Sequence, residues 1–439
     1  MMEWLPLMST QRLSQKASTR DNTRSAFEMD FDRIIFSHPF RRLQDKTQVH
    51  PLPEHDFVHT RLTHSLEVSS VGRSLGRKVG EVILQRHPQL AEAFTSHDFG
   101  TVVASASLAH DLGNPPFGHS GESGLSDYFL HGDGQRWKPF FSEPEWADLT
   151  RFEGNAQGFR ILNKRQYQGL RLTAATLGAF TKYPCPAHFP ARNKSLKSQK
   201  KFGFFQTERT AFEEVADRLQ LIGRDGAWVR HPLAFLVEAA DDICYSIIDL
   251  EDGCRLGLVS LQDTIDLLAP VIGEHFNPQK LDQITGVDEK VGVLRALAIG
   301  RLIDDAVSVF LEHEQAIRSG SFDQALTDSG RFAQPLQAIA TLSVDRIYRA
   351  RPVVEKEVAG FEVLPGLLHD FLLAAEQLVH QNQPTRYRHL ARLLPPETVS
   401  AVLQQPENAY ARIREVIDLV SGLTDSHAVR LYRKIRGVA

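Results

Sequence analysis

Residues 110–122 read HDLGNPPFGHSGE. Two imidazoles, His110 and His119, and two carboxylates, Asp111 and Glu122, bracket a segment too rich in glycine and proline to continue a helix. Adjacent His and Asp at a helix end can both reach one divalent ion. A mixed nitrogen and oxygen set suits Mn2+, Fe2+, Co2+ or Ni2+, with Mg2+ less comfortable beside histidine. A His-Asp pair alone says little, because His97-Asp98 in TSHDFG is another. That second pair precedes an apolar helix and reads as an N-terminal cap. His110-Asp111 instead ends the small-residue run TVVASASLA, where a buried carboxylate needs a partner or a metal. His119 and Glu122 are three apart, hence neighbours if a helix begins there. A carboxylate there can orient the imidazole and stabilise its cation, which makes His119 a candidate general acid or base with Glu122 as its partner. The plainer alternative is a capping His119 and a solvated Glu122.

Two more segments supply candidate ligands. His64 opens a helix in RLTHSLEV; such a histidine is either a satisfied core residue or a ligand. LVEAADDICYSIIDLED carries Asp241, Tyr245 and Asp249 at i, i+4 and i+8, which puts a carboxylate, a phenol and a second carboxylate on one helix face. Asp242 is offset by about 100° and points elsewhere.

The elements that must position these groups are helices. Helical periodicity dominates, alternating strand patterns are scarce, and the expected class is all-α. HSLEVSSVGRSLGRKVGEVIL is a helix from about His64, with Gly72, Gly76 and Gly80 every four residues. Arg73, Arg77 and Lys78 exclude a bilayer, so the glycines imply a neighbour packed close to the backbone. Gly113 reads as the stop of the TVVASASLAHDLG helix. Segment 181–209 is irregular and holds Arg192, Lys194, Lys197, Lys200 and Lys201 with no acid among them; it is either a solvated loop or a phosphate-facing one. A soft boundary near 260 separates a core, 1–260, from a helical region, 261–439, that completes the fold and carries oligomer contacts.

Bulk properties narrow the classes. The chain has 439 residues, 42% hydrophobic and 24% charged, with net charge −4, which is ordinary for a globular protein and shows no global basic field for nucleic acid. Three cysteines, Cys185, Cys244 and Cys254, form no CxxC pair and suit a reducing compartment. The N-terminus lacks a signal-peptide pattern, and no run approaches the roughly 18 apolar residues of a membrane span, so a cytoplasmic location is expected.

The set RLTHSLEV, AHDLGNPPFGHSGE, EGNAQGFRIL, EAADDICYSIIDLED and LVSGLTD, with HPFRRLQDKTQV near the start, resembles the bacterial deoxyguanosine triphosphate triphosphohydrolases of the HD superfamily. The resemblance spans about residues 20 to 430. It implies an all-α HD-domain bundle with a helical C-terminal extension. It also implies one divalent metal ion per subunit, held by His64, His110, Asp111 and Asp241, with His119 and Glu122 catalytic. The implied reaction is water attack at the α-phosphorus of dGTP or several dNTPs, giving deoxynucleoside and tripolyphosphate, with His119 as proton donor to the 5′-oxygen. Arg42 and Lys182 are candidates for the triphosphate, Gln48 and Val49 resemble positions near the sugar, and Asn155, Tyr245 and Asp249 are further substrate-binding candidates. A homo-oligomer (hexamer or tetramer) is the partner it suggests, with single-stranded DNA as a candidate regulator landing on the basic loop. In one departure, GLTDSHAVR places Ser426 and His427 where the family often has Arg-Tyr after the Asp. Two other classes compete: an HD-type phosphodiesterase or 5′-nucleotidase acting on another nucleotide, and a non-catalytic nucleotide-binding protein. The GNPPFGHSGE loop argues against the first and retention of every acid–base group against the second.

Overall fold

A computed structural model describes residues 1–13, 24–49, 58–164, 169–381 and 384–438. The protein is all-α. Among the described residues the strands are one short antiparallel ribbon, Gly223–Arg224 paired with Ala227–Trp228. Two long helices form the frame of the site, and their capping is written in the sequence. Arg61–Arg86 begins at Thr60, whose N–H donates to Thr63 Oγ1 at 3.0 Å. Ser96–Ala109 begins at Thr95, whose N–H donates to Asp98 Oδ2 at 2.8 Å. Asp98 of the second His-Asp pair thus serves a capping box, two orphan backbone donors being satisfied reciprocally.

The glycine row on Arg61–Arg86 is a docking face for Ser96–Ala109. A Cβ on Gly76 would sit 2.7 Å from the Phe99 carbonyl oxygen, and those on Gly72 and Gly80 would meet the Ser107 and Phe99 side chains at 2.6 and 2.8 Å. The close approach brings His64, near the start of one helix, beside His110, just past the end of the other; their rings lie 5.3 Å apart.

Helix Pro232–Arg255 supplies the third wall. It begins with Pro232 at N1, where a missing N–H costs nothing, and His231 caps it. His231 Nδ1 accepts the Leu233 N–H at 3.1 Å while its Nε2–H donates to the Leu7 carbonyl at 2.9 Å, which requires the neutral imidazole. Burial holds its pKa down to about 4, against 6.5. The unfolded chain therefore takes up this proton as pH falls below 6.5 and the folded one does not, so the contribution is full above 6.5 and is lost on acidification toward 4. Between pH 7.5 and 5 the loss comes to about 2 kcal/mol. Urea unfolding at the two pH values should show that drop, flattened in His231→Gln; an equal drop in both proteins would assign it elsewhere.

Hydrophobic residues gather in two main clusters. One joins the N-terminal helices, Arg61–Arg86, Ser96–Ala109 and Pro232–Arg255 with residues up to Ile347. The other joins residues of 117–152 with those of 363–428. Helix Arg351–His380 belongs to the second and packs on Gly118–Leu130. Contrary to the sequence expectation, this helix is long and apolar enough to cross a membrane, with a window of mean hydropathy 1.4. Most of that window, 61%, is buried inside the protein, and Asp370 within it pairs with Arg386.

Candidate active site

After Ala109 the chain leaves the helix and turns through 110–117, and helix Gly118–Leu130 then starts from Phe117, a non-glycine residue in the left-handed region at φ 64°. The turn packs against helix Gly154–Asn163 so tightly that a Cβ on Gly113 would lie 2.0 Å from the Gly154 carbonyl oxygen and 2.1 Å from the Gly158 nitrogen. Backbone must move to admit it. Gly113→Ala should cost about 3 kcal/mol or more in chemical unfolding. Gly300→Ala, in helix Val287–Glu312 with open space at its Cβ, should instead stabilise by about 0.5 kcal/mol. Equal effects would mean that the turn relaxes freely.

His64, His110 and Asp111 offer ligand atoms that all lie within 4.8 Å of one another. His110 is oriented by its backbone: Nδ1 lies 2.6 Å from the Ser107 carbonyl, leaving Nε2 to face the cluster. Asp111 is held at both oxygens, Oδ2 by the Arg61 guanidinium at 2.7 Å and Oδ1 by the Asn114 amide at 2.5 Å. Burial alone would raise its pKa, but Arg61, with His110 and His64, holds it below the usual carboxylate range. Asp241, from Pro232–Arg255, places Oδ1 3.2 Å from His64 Nε2 and 3.6 Å from His110 Nε2. Against burial, His110, His64 and Lys182 keep it strongly depressed as well. The two imidazoles and Asp111 thus form a donor set that could hold one divalent cation, with Asp241 beside the two histidines. Asp242 points away and accepts the Thr327 hydroxyl at 2.9 Å; burial pushes it up to about 6.

His64, His110, Asp111 and Asp241 line one cavity of about 460 Å3, together with Gln48, Val49, His119, Glu122, Asn155, Lys182 and Tyr245. The chain brings together what the sequence singled out, with two exceptions. Arg42 does not line the cavity; it donates to the Gly422 carbonyl at 3.0 Å. Asp249 sits behind the wall, where it accepts the hydroxyl of Tyr348 at 2.8 Å, and burial raises it to about 8. It touches the cavity through Tyr348, whose ring stacks on Tyr245 at 5.5 Å. Glu122 also departs from expectation. Both it and His119 reach the cavity, yet Glu122 Oε1 accepts the Gly154 N–H at 2.7 Å rather than the imidazole. Burial raises the pKa of Glu122, and burial with Lys201 and Arg61 lowers that of His119. The two groups are thus set toward their neutral forms.

Several lining residues escaped sequence reasoning. Arg61 is three residues before His64, and Asn114 three after Asp111; helical and turn spacing would have flagged both. The basic loop contributes Lys201, which pairs with Glu153 at 3.3 Å, whereas Arg192 is consumed by loop carbonyls and Lys197 by Asp328. Lys182 pairs with Glu238 at 3.4 Å; burial would lower its pKa, but Glu238 with Tyr183, Asp242 and Asp241 holds it well above the ordinary lysine range. Lys356 and Tyr348 come from the distant C-terminal region and left no local signal.

Residues 327–434 match the family described as Phosphohydrolase-associated domain. The whole chain is 44% identical over 461 residues to a Deoxyguanosinetriphosphate triphosphohydrolase-like protein of Synechocystis, covering 100% of both. A protein so named from Pseudomonas aeruginosa is 38% identical, covering 99% of each chain. The Deoxyguanosinetriphosphate triphosphohydrolase of Yersinia pestis is 32% identical with 93% of each covered.

Proposed function

The chain belongs to the deoxyguanosinetriphosphate triphosphohydrolase family of hydrolases, and from that membership we propose that its pocket hydrolyses a deoxynucleoside triphosphate at the α-phosphorus, releasing deoxynucleoside and intact tripolyphosphate. The observation that carries this reading is that a His/His/Asp cluster, an uncommitted imidazole and four cationic side chains share one cavity.

His64, His110 and Asp111, with Asp241 as a fourth ligand, would hold one divalent ion. Such an ion, when bound, polarises a phosphoryl oxygen and acidifies water. Arg61, Lys182, Lys201 and Lys356 line the same cavity and offset the triphosphate's charge of about −4. As the bond from water oxygen to the α-phosphorus forms, the bond from that phosphorus to the 5′-oxygen breaks, and the departing oxygen needs a proton. His119 is the donor. In the free protein burial, with Lys201 and Arg61, lowers its pKa; an arriving polyanion offsets both cations and favours protonation of the imidazole. Gln48, Val49, Asn155 and Tyr245 would face the sugar, with the Tyr245–Tyr348 stack closing on it and Asp249 fixing Tyr348. A wall close to the 2′ and 3′ positions would select deoxyribose over ribose.

Residues 424–430, where the sequence departs from the family pattern, do not line the cavity. Base preference is therefore to be sought in the cavity wall. Incubation with each dNTP and with GTP in the presence of Mn2+, followed by chromatography, should show deoxynucleosides accumulating and guanosine absent. Accumulation of nucleoside mono- or diphosphates would point to a phosphodiesterase-like or stepwise phosphohydrolase instead.

A further inference from the structure

One buried carboxylate outside the ligand and acid–base sets grips three parts of the cavity wall at once. Asp425 is 1% exposed and opens the last helix, Asp425–Arg436. Its Oδ1 accepts the Phe117 N–H at 3.0 Å. Its Oδ2 accepts the Thr47 N–H at 3.1 Å, the Thr47 hydroxyl at 2.8 Å and the Lys356 ammonium at 2.5 Å. Thr47, Phe117 and Lys356 all line the cavity.

Each held group adjoins working residues. Phe117 is the left-handed residue from which the helix bearing His119 and Glu122 departs. A non-glycine residue keeps such a conformation only where its surroundings over-determine it, and the hold on its N–H is one such constraint. Thr47 directly precedes Gln48 and Val49. Neighbouring contacts seat the whole turn: Lys46 Nζ donates to the Asn114 and Ser421 carbonyls at 2.5 and 3.0 Å, Arg42 to the Gly422 carbonyl at 3.0 Å, and Ser426 Oγ to Asp45 at 2.9 Å. Arg42, Ser426 and the divergent turn thus act on the wall of the site from outside it.

We propose that Asp425 is a positioning residue: its two oxygens set the His119 helix and the segment 47–49 in one register around the substrate. The inference rests on the triphosphohydrolase reading for what is positioned, though the hold itself does not depend on it. A residue that merely anchored the last helix would change stability and leave turnover per folded molecule and local wall dynamics alone.

The test uses the full chain. Asp425→Asn keeps the shape but removes the charge and one acceptor. With dGTP and Mn2+ its kcat should fall at least 10-fold and its KM rise several-fold, at unchanged metal content. Amide hydrogen exchange by mass spectrometry should quicken in peptides covering 46–49 and 116–120 and stay as in the parent protein over 96–109. Thr47→Val, which removes the hydroxyl's contacts with Asp425 and Lys356 and keeps the backbone one, should raise KM with kcat within about 2-fold, and it decides the matter if Asp425→Asn does not fold. An unchanged kcat in Asp425→Asn, uniformly faster exchange, or an unchanged KM in Thr47→Val overturns the proposal. Were the parent protein to hydrolyse no dNTP, the functional reading would fall, while local against uniform exchange would still decide for or against the hold of Asp425.

Discussion

His110→Ala should bind no catalytic metal and retain less than about one part in a thousand of the parent's turnover. The side chain removed is one whose backbone partner, the Ser107 carbonyl, fixes which nitrogen faces the cluster. Neither other member of the cluster can replace it, since His64 already contributes its own imidazole and Asp111 is a carboxylate. Metal content of the purified protein, read by elemental analysis alongside turnover, checks both halves of the prediction. Asp111→Ala should act in the same direction but also destabilise, because it leaves the buried Arg61 guanidinium and the Asn114 amide without their partner. The other His-Asp pair supplies the control. His97 is exposed and lies in the first turn of its helix, so His97→Ala should leave metal and turnover as they are. Activity surviving in His110→Ala would remove the cluster from the reaction.

The second large effect separates metal binding from proton transfer. His119→Ala should keep its metal and lose about 10²- to 10⁴-fold in kcat, the range for loss of a positioned acid or base. If metal is lost as well, His119 belongs among the ligands. Glu122→Gln retains an oxygen to accept the Gly154 N–H, so its effect should be the smaller, about 10-fold, and confined to kcat. Because His119 gives up a proton in the reaction, activity falls as pH rises through its pKa; burial, Lys201 and Arg61 depress that pKa in the free protein, so this limb in kcat/KM should lie below pH 6.5. The substrate-bound form, with its cations offset, should titrate higher, so the limb in kcat should lie at a higher pH than the limb in kcat/KM. Coincident limbs would mean that the triphosphate does not neutralise the cations near His119.

What the sequence made legible was local. Capping residues, the four-residue glycine row and the HDLGNPPFG turn each follow from spacing along the chain, and the structure realises them through short-range contacts such as Thr95 with Asp98. The face shared by Asp241, Tyr245 and Asp249 follows from helical periodicity, yet periodicity does not say where a cavity ends. Asp249, two turns beyond Asp241, falls behind Tyr348. Charge and motif make Arg42 a candidate, but charge does not reveal that a carbonyl 380 positions away takes its guanidinium. Spacing pairs Glu122 with His119, but the N-terminus of a helix some thirty residues on supplies the donor that Glu122 accepts. The groups that tie the wall together, Lys356 and Asp425, meet Thr47 from the far end of the chain, and no local pattern encodes such a contact.

The central claim, that water attacks the α-phosphorus and tripolyphosphate leaves whole, is tested most directly by phosphorus NMR of a dGTP reaction run in water enriched in oxygen-18. Tripolyphosphate carrying one heavy oxygen on a terminal phosphorus, with unlabelled deoxyguanosine, is the predicted result. Pyrophosphate or orthophosphate as the first product, or label on the deoxyguanosine, would contradict it.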